Sequence, residues 1–439
     1  MQNPVPYHAR QSPDWVKHAV IYQINTRQFT PEGTFRAAIQ QLPRLKELGV
    51  DILWLMPIHP IGSKNRKGKL GSPYAVRDYY GVNPEFGSFS DLKNFIDKAH
   101  EMGLYVILDW VANHTAWDNP LTRQNPDWYI RDKKGNFRST PWSGWSDIIE
   151  LDYNSTQLRE YMTETMCWWV RQANVDGFRA DVAGYVPIDF WVNVRRELEN
   201  IKPVFMLAEW ESRELHLEAF DATYAWTWWD MVHDIAMDRK KISDLHKYYA
   251  WHAKAFPKGS IRMTFVTNHD KNAWEGSMYE NFGRALEAAI VLSVVGDGIP
   301  LIHNGQEAGM DKALAFFDKS PIAWRNHPMG SLYQKLFSLK KQYKALWNGH
   351  WGAPMQEVPN NLPENVLSFI RQNDMHKVFA VFNFSSERVS ATFKDMLHHG
   401  RYKDYITEKP VTFNDTTSIA LNPWCFKVFI QYNDKAFLH

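Results

Sequence analysis

Cysteine is scarce in this chain: two in 439 residues, Cys167 and Cys425. They stand too far apart in sequence for a metal-binding motif and are too few for a disulfide framework, which excludes zinc modules and stapled scaffolds. An excess of one charge is missing as well. Fifty Lys+Arg face 49 Asp+Glu, a net charge of +1, and no run gathers the basic residues as a phosphate-gripping protein does. Long hydrophobic runs are also absent. Apolar residues make up 44% but are interrupted throughout, and nothing reaches the roughly 18 uninterrupted apolar residues of a membrane-spanning helix. Neither nucleic acid nor membrane is an expected partner. The first ten residues hold two prolines and no apolar core suited to a secretory leader. A cytoplasmic location is the expectation, with periplasm or exterior as the alternative for a chain whose leader was removed. Internal repeats, low-complexity tracts and heptads are not seen.

Aromatic residues, by contrast, are plentiful: 20 Trp, 19 Tyr and 25 Phe, 15% of the chain. Trp is rarely buried completely, so many of these rings should line surfaces or clefts. Flat apolar faces beside polar groups suit sugar rings.

Short β-branched runs alternate with amphipathic helical stretches, the pattern of parallel strands joined by helical crossovers. Strands are predicted at 19–25, 51–55, 104–109, 177–181, 204–208, 222–226, 262–268 and 299–303. Between the second and third, Leu92, Phe95, Ile96, Ala99 and Met102 share one helical face, with Ser90 as the expected N-cap and Gly103 as the stop. Eight such units specify a (β/α)8 TIM barrel, whose active site is built at the C-terminal strand ends. After His114 the periodicity disappears for about 40 residues, far beyond an ordinary βα loop. From about Trp351 the texture turns to strands and turns. The expected domains are a barrel of residues 1–112 and 151–350, an insertion domain of 113–150 after the third strand, and a C-terminal β-sandwich of 351–439.

Charged residues cluster at the predicted strand ends. Asp109 ends the third strand, followed by Asn113 and His114. Arg179 and Asp181 lie two apart on the fourth, so both face the barrel interior. Glu209 ends the fifth, and His269 and Asp270 end the seventh. Each has an ordinary explanation: an Asp after a strand usually caps a turn, Arg179 and Asp181 can form a structural ion pair, and His269 can be a satisfied core histidine. Gathered at one barrel end, several carboxylates cost stability through repulsion and desolvation, which a purely structural cluster does not explain.

With Asp109-Trp-Val-Ala-Asn-His114, Gly177-Phe-Arg-Ala-Asp181, Glu209, Asn268-His-Asp270, the run Gly298 to Glu307, and Tyr74-Ala-Val-Arg-Asp78 leading to Asn83-Pro-Glu-Phe-Gly87, the chain resembles glycoside hydrolase family 13, the α-amylase family, over essentially its whole length. The resemblance implies Asp181 as nucleophile, Glu209 as acid/base and Asp270 as transition-state stabiliser. It places Tyr74, Asp109, His114, Arg179 and His269 around the reacting sugar, with Tyr74 stacked beneath it. The bare chemistry agrees, since retaining hydrolysis needs one ionised and one protonated carboxyl. Arg179 is expected to hold Asp181 low, and the neighbouring negative charges to push Glu209 up. Trp142 and Trp145, in the insertion, are candidate sugar platforms, whereas Trp110 and Trp210 are expected in core or wall.

Some residues depart from the family pattern. Ala183 and Gly184 replace the Lys-His of many relatives, and Asp-Val-Ala looks more like the neopullulanase and cyclomaltodextrinase branch, alongside short bacterial α-amylases. The resemblance also implies a calcium site built on Asn113, insertion carboxylates and the carbonyl at 184. Asp118, Asp127, Asp132 and Asp147 show no spacing that forms a cage, so no metal or other cofactor is expected to be required. Glu150-Leu-Asp-Tyr-Asn154 matches neither the α-1,4 nor the α-1,6 pattern. The expected activity is retaining hydrolysis of α-glucosidic bonds, α-1,4 foremost, in maltooligosaccharides, starch fragments or cyclodextrins. A transglycosylase or isomerase using the same intermediate is the alternative. A non-catalytic glucan-binding relative would lack the carboxylates kept here. Monomer and homo-oligomer both remain open.

Overall fold

A computed structural model describes residues 7–141 and 143–432. The first six residues and Trp142, on which the leader and platform expectations bear, lie outside the described residues. Among the described residues ten strands make up the catalytic part: β1 (Ile21–Ile24), β2 (Ile52–Leu55), β3 (Tyr105–Trp110), β4 (His114–Ala116), β5 (Ile148–Glu150), β6 (Gly177–Ala180), β7 (Phe205–Ala208), β8 (Ala222–Tyr224), β9 (Ile261–Thr264) and β10 (Ile299–His303). Eight of them close a parallel barrel in the order β1-β10-β9-β8-β7-β6-β3-β2, while β4 and β5 pair antiparallel within the segment that follows β3. These barrel strands are nearly all buried along their whole length, as expected where helices cover a parallel sheet.

The crossover helix Phe89–Glu101 buries Leu92, Phe95, Ile96 and Ala99. Its cap is Ser88, not Ser90: the Ser88 hydroxyl accepts from Asp91 N, and the Asp91 carboxylate accepts from Ser88 N. That reciprocal pair satisfies two otherwise orphaned donors, a contribution of about 1 kcal/mol. Several strands are shorter than the sequence implies: β1 spans Ile21–Ile24 of the expected 19–25, and β8 and β9 also end early. Trp226 opens the helix Trp226–Ala236 rather than closing β8, and β9 stops at Thr264. There it faces Pro300, which has no N–H to extend the ladder.

The C-terminal part comprises β11 (Gln356–Glu357), β12 (Val366–Gln372), β13 (Lys377–Asn383), β14 (Val389–Thr392), β15 (Gly400–Asp404), β16 (Pro410–Phe413), β17 (Ser418–Leu421) and β18 (Phe426–Gln431). A six-stranded sheet, β11-β12-β13-β18-β15-β16, and the β14-β17 pair share a core of Val366, Phe379, Val381, Ala391, Leu421 and Phe429. The other face of the large sheet, through Leu367, Phe369, Val378 and Phe382, joins the core of the barrel. Buried Arg371 locks that junction by donating to the carbonyls of Ala353, Gly296 and Trp347.

Candidate active site

Strand register brings the charged side chains together. Asp109 pairs with Arg179 across β3 and β6, and Arg179 with Leu207 across β6 and β7. Asp181 and Glu209 are the next residues out of their strands. Asp181 N donates to Trp110 O and Glu209 N to Ala180 O, so the two chain exits are held side by side.

Arg179 lies at the centre of the group. Its Nη1 donates to Asp109 Oδ1 at 2.7 Å and to Asp181 Oδ1 at 2.9 Å, and its Nε to Tyr224 Oη at 3.2 Å. Nη2 approaches Glu209 Oε2 at 2.9 Å, a charge contact without hydrogen-bond alignment. Glu209 Oε2 is instead oriented by the backbone N–H of Val182 at 2.7 Å. That donor points back because Val182 sits at φ 37°, ψ 48°, a left-handed conformation unusual for a β-branched residue and of the kind found at functional sites.

A second chain of bonds fixes the rings. Gln23 Oε1 accepts from His269 N, which leaves Gln23 Nε2 to donate to His269 Nδ1 at 2.7 Å. The His269 proton therefore sits on Nε2 and is donated to Tyr74 Oη at 2.7 Å, while Tyr74 donates to Asp109 Oδ2 at 2.9 Å. Burial, with Arg179 nearby, holds His269 well below the usual histidine range, and burial takes His114 down to about 4. Both rings are neutral. His114 Nε2 is 3.9 Å from Asp181 Oδ2, and His269 Nε2 is 3.3 Å from Asp270 Oδ2.

The expected depression of Asp181 is not found. Burial pushes Asp181 up to about 7 and Asp109 up to about 6 against the pull of Arg179, and drives Glu209 well above the carboxylate range. One guanidinium shared among three buried carboxylates does not offset their desolvation. The difference between the two inner groups survives in the hydrogen bonds, which are aligned to Asp181 and off-axis to Glu209.

These residues floor a cleft of about 410 Å3 lined by Tyr74, His114, Trp145, Asp181, Glu209, His269, Asp270, Trp274, Phe316 and Phe317. Asp270 is the most open of the carboxylates, with 42% of its side chain exposed. Two of the residues expected to touch sugar do not reach the cleft. Asp109 and Arg179 are completely buried, because Tyr74 and Asp181 stand between them and the opening. They hold Tyr74 and Asp181 by hydrogen bonds. Trp110 is core, as expected, and Trp145 lines the cleft.

The family described as "Alpha amylase, catalytic domain" matches residues 14–344, and "Alpha amylase, C-terminal all-beta domain" matches 359–428. The chain belongs to the α-amylase family. Among solved structures it is similar to a maltogenic α-amylase from Thermotoga neapolitana, 30% identical with a TM-score of 0.86, covering 94% of this chain and 99% of that one. An α-amylase from Lactobacillus plantarum is 28% identical with a TM-score of 0.85, covering 95% and 100%. A curated relative, a cyclomaltodextrinase from a Bacillus species, is 24% identical and covers 86% of this chain and 75% of its own length.

Three of the insertion carboxylates that the resemblance offers to calcium hold protein partners. Asp118 accepts from the backbone and hydroxyl of Ser63, Asp132 closes a turn onto Lys134 and Asn136, and Asp147 pairs with Lys67. Asn113 donates to Thr140 Oγ1 at 3.0 Å. Among the described residues no three His, Cys, Asp or Glu side chains converge as a metal site.

Sequence reasoning missed several cleft residues in this α-amylase family member. Trp274 stands four residues after Asp270 on a single π-helical turn, Lys271–Glu275, a distortion frequent at functional sites. A Trp in the first turn beyond a candidate carboxylate was the available signal. Phe316, Phe317 and Lys67 come from irregular loops and carried none.

Proposed function

We propose that the protein hydrolyses α-glucosidic bonds, α-1,4 foremost, in maltooligosaccharides and starch fragments, with retention of configuration. The observation that carries this reading is the single guanidinium of Arg179 in contact with both Asp181 and Glu209 at the cleft floor. Two carboxyl groups on neighbouring nitrogens of one guanidinium suit the short separation, about 5–5.5 Å, used for double displacement.

Asp181, ionised, attacks the anomeric carbon as the glycosidic C–O bond breaks, and Glu209 gives its proton to the leaving oxygen. The glycosyl ester on Asp181 is then opened by water, whose proton returns to Glu209, and Asp181 leaves as a carboxylate. Asp270 faces the positive charge that develops on the sugar. His114 holds a hydroxyl of that sugar, and Tyr74, fixed by His269, supports its ring.

Asp181→Asn and Glu209→Gln are each expected to lower kcat by about 10²-fold or more with the fold intact. Product from short maltooligosaccharides is expected to appear first as the α-anomer, read by proton NMR. Initial β-anomer, or either variant within about tenfold of the parent, overturns the assignment.

A further inference from the structure

We propose that the cleft is blind at its glycone end and that Lys67 closes it, so that substrate enters by its non-reducing end and short products leave. This rests on the roles given above to Asp181 and Glu209, which set the direction of the bound chain. The leaving sugar lies on the side of Glu209, the proton donor. There the surface opens: Trp210, the next residue, borders a groove of about 460 Å3 with Gly184, Tyr185 and Ile188.

The opposite side is walled. Tyr74 stacks on Phe316 with centroids 6.2 Å apart, and Trp274 and Phe317 pack on Phe316 at 5.1 Å and 5.2 Å. The loop after β2 runs across this end and is tied at both sides. Towards the β10 loop, Leu70 N donates to Phe317 O and Lys69 N to Asp318 Oδ1. Gly68 comes so near that a Cβ there would lie 2.4 Å from that of Phe317. Towards the insertion, Lys67 Nζ donates to Gly144 O at 2.9 Å and pairs with Asp147 at 3.3 Å. Three loops thus meet at one rim, with Lys67 lining the cleft beneath it. A glucan cut in mid-chain must leave the cleft at both ends, and this wall blocks one of them. A chain end fits.

The test compares an α-1,4-maltoheptaoside having a free non-reducing end with the same compound capped there by a cyclic acetal, products being followed by chromatography. The wild type is expected to cut the free compound at least about tenfold faster, the equivalent of 1.4 kcal/mol in specificity. Lys67→Ala is expected to narrow that ratio severalfold by opening the rim. Lys67→Met, which keeps the stem and loses the ammonium, should fall between. Equal rates on both compounds with the wild type overturn the blind end. A ratio unchanged in Lys67→Ala overturns the part given to Lys67. Failure on the free compound itself is a different result, which removes the reading of the carboxylates and the inference with it. The wild-type comparison stands even if a variant does not fold.

Discussion

At the scale of single residues, Glu209 shows the conflict between stability and chemistry most directly. Its carboxyl is buried, and folding raises its pKa well above the ordinary 4.5. A group raised on folding supports the fold fully below its unfolded-state pKa and withdraws that support as pH climbs towards the folded value. Glu209→Gln keeps an acceptor for the Val182 N–H and cannot ionise. The variant should therefore melt higher than the parent at pH 8, by on the order of a few degrees, with the gap closing near pH 4. Melting scans at the two pH values decide it; a variant less stable at pH 8 would show that the charge contact with Arg179 outweighs the burial of the carboxylate. Arg179 itself stabilises by position, since its one charge is divided among Asp109, Asp181 and Glu209.

At the scale of elements, the strands deliver side chains and the loops beyond them shape what enters. Gly184 illustrates the second part. The family's Lys-His pair is replaced here by Ala183 and Gly184, and the vacated space is filled by Trp210: a Cβ on residue 184 would lie 2.0 Å from the Trp210 ring. Trp210 in turn packs on Tyr185 at 5.2 Å, with Tyr185 half exposed. Gly184→Ala should displace the indole and spoil the leaving-group side while sparing the cleft floor. The expected result is a severalfold loss of kcat/KM on maltotriose and little change on a glycosyl fluoride, whose leaving group needs no such surface. Equal losses on both donors would place the damage at the carboxylates instead. The same loops were where sequence reasoning went astray, by ending β9 too late and passing over Trp274, because a turn that follows a strand has no periodicity to read.

At the scale of the whole molecule, the barrel, the insertion and the C-terminal sheets are joined by ordinary side-chain contacts. The large C-terminal sheet gives one face to the barrel core, and Arg371 satisfies carbonyls at the seam. The insertion is tied to the loop after β2 by Ser63 to Asp118 and by Lys67 to Asp147. In this arrangement Asp118, Asp132 and Asp147, three of the four insertion carboxylates considered for calcium, already hold protein donors. Dialysis against EDTA is therefore expected to leave both the melting temperature and the activity near their starting values. A large fall in melting temperature that added calcium reverses would establish a metal site.

Much of this protein is determined by sequence alone, for a local reason. Alternation along a strand puts Arg179 and Asp181 on the same side, and eight repeated strand-helix units leave closure into a barrel as the way to bury them. The carboxylates at strand ends were legible because strand and motif are read from the same few residues. The tertiary structure decided what depends on distant partners. Whether Asp181 sits low or high depends on how many carboxylates share Arg179 and how little water reaches them. That Asp109 and Arg179 stand behind the cleft, rather than in it, follows from Tyr74 packing over them from another loop. The rim formed by Lys67, Phe317 and Gly144 joins segments far apart in the chain, and no spacing within any one of them records the contact.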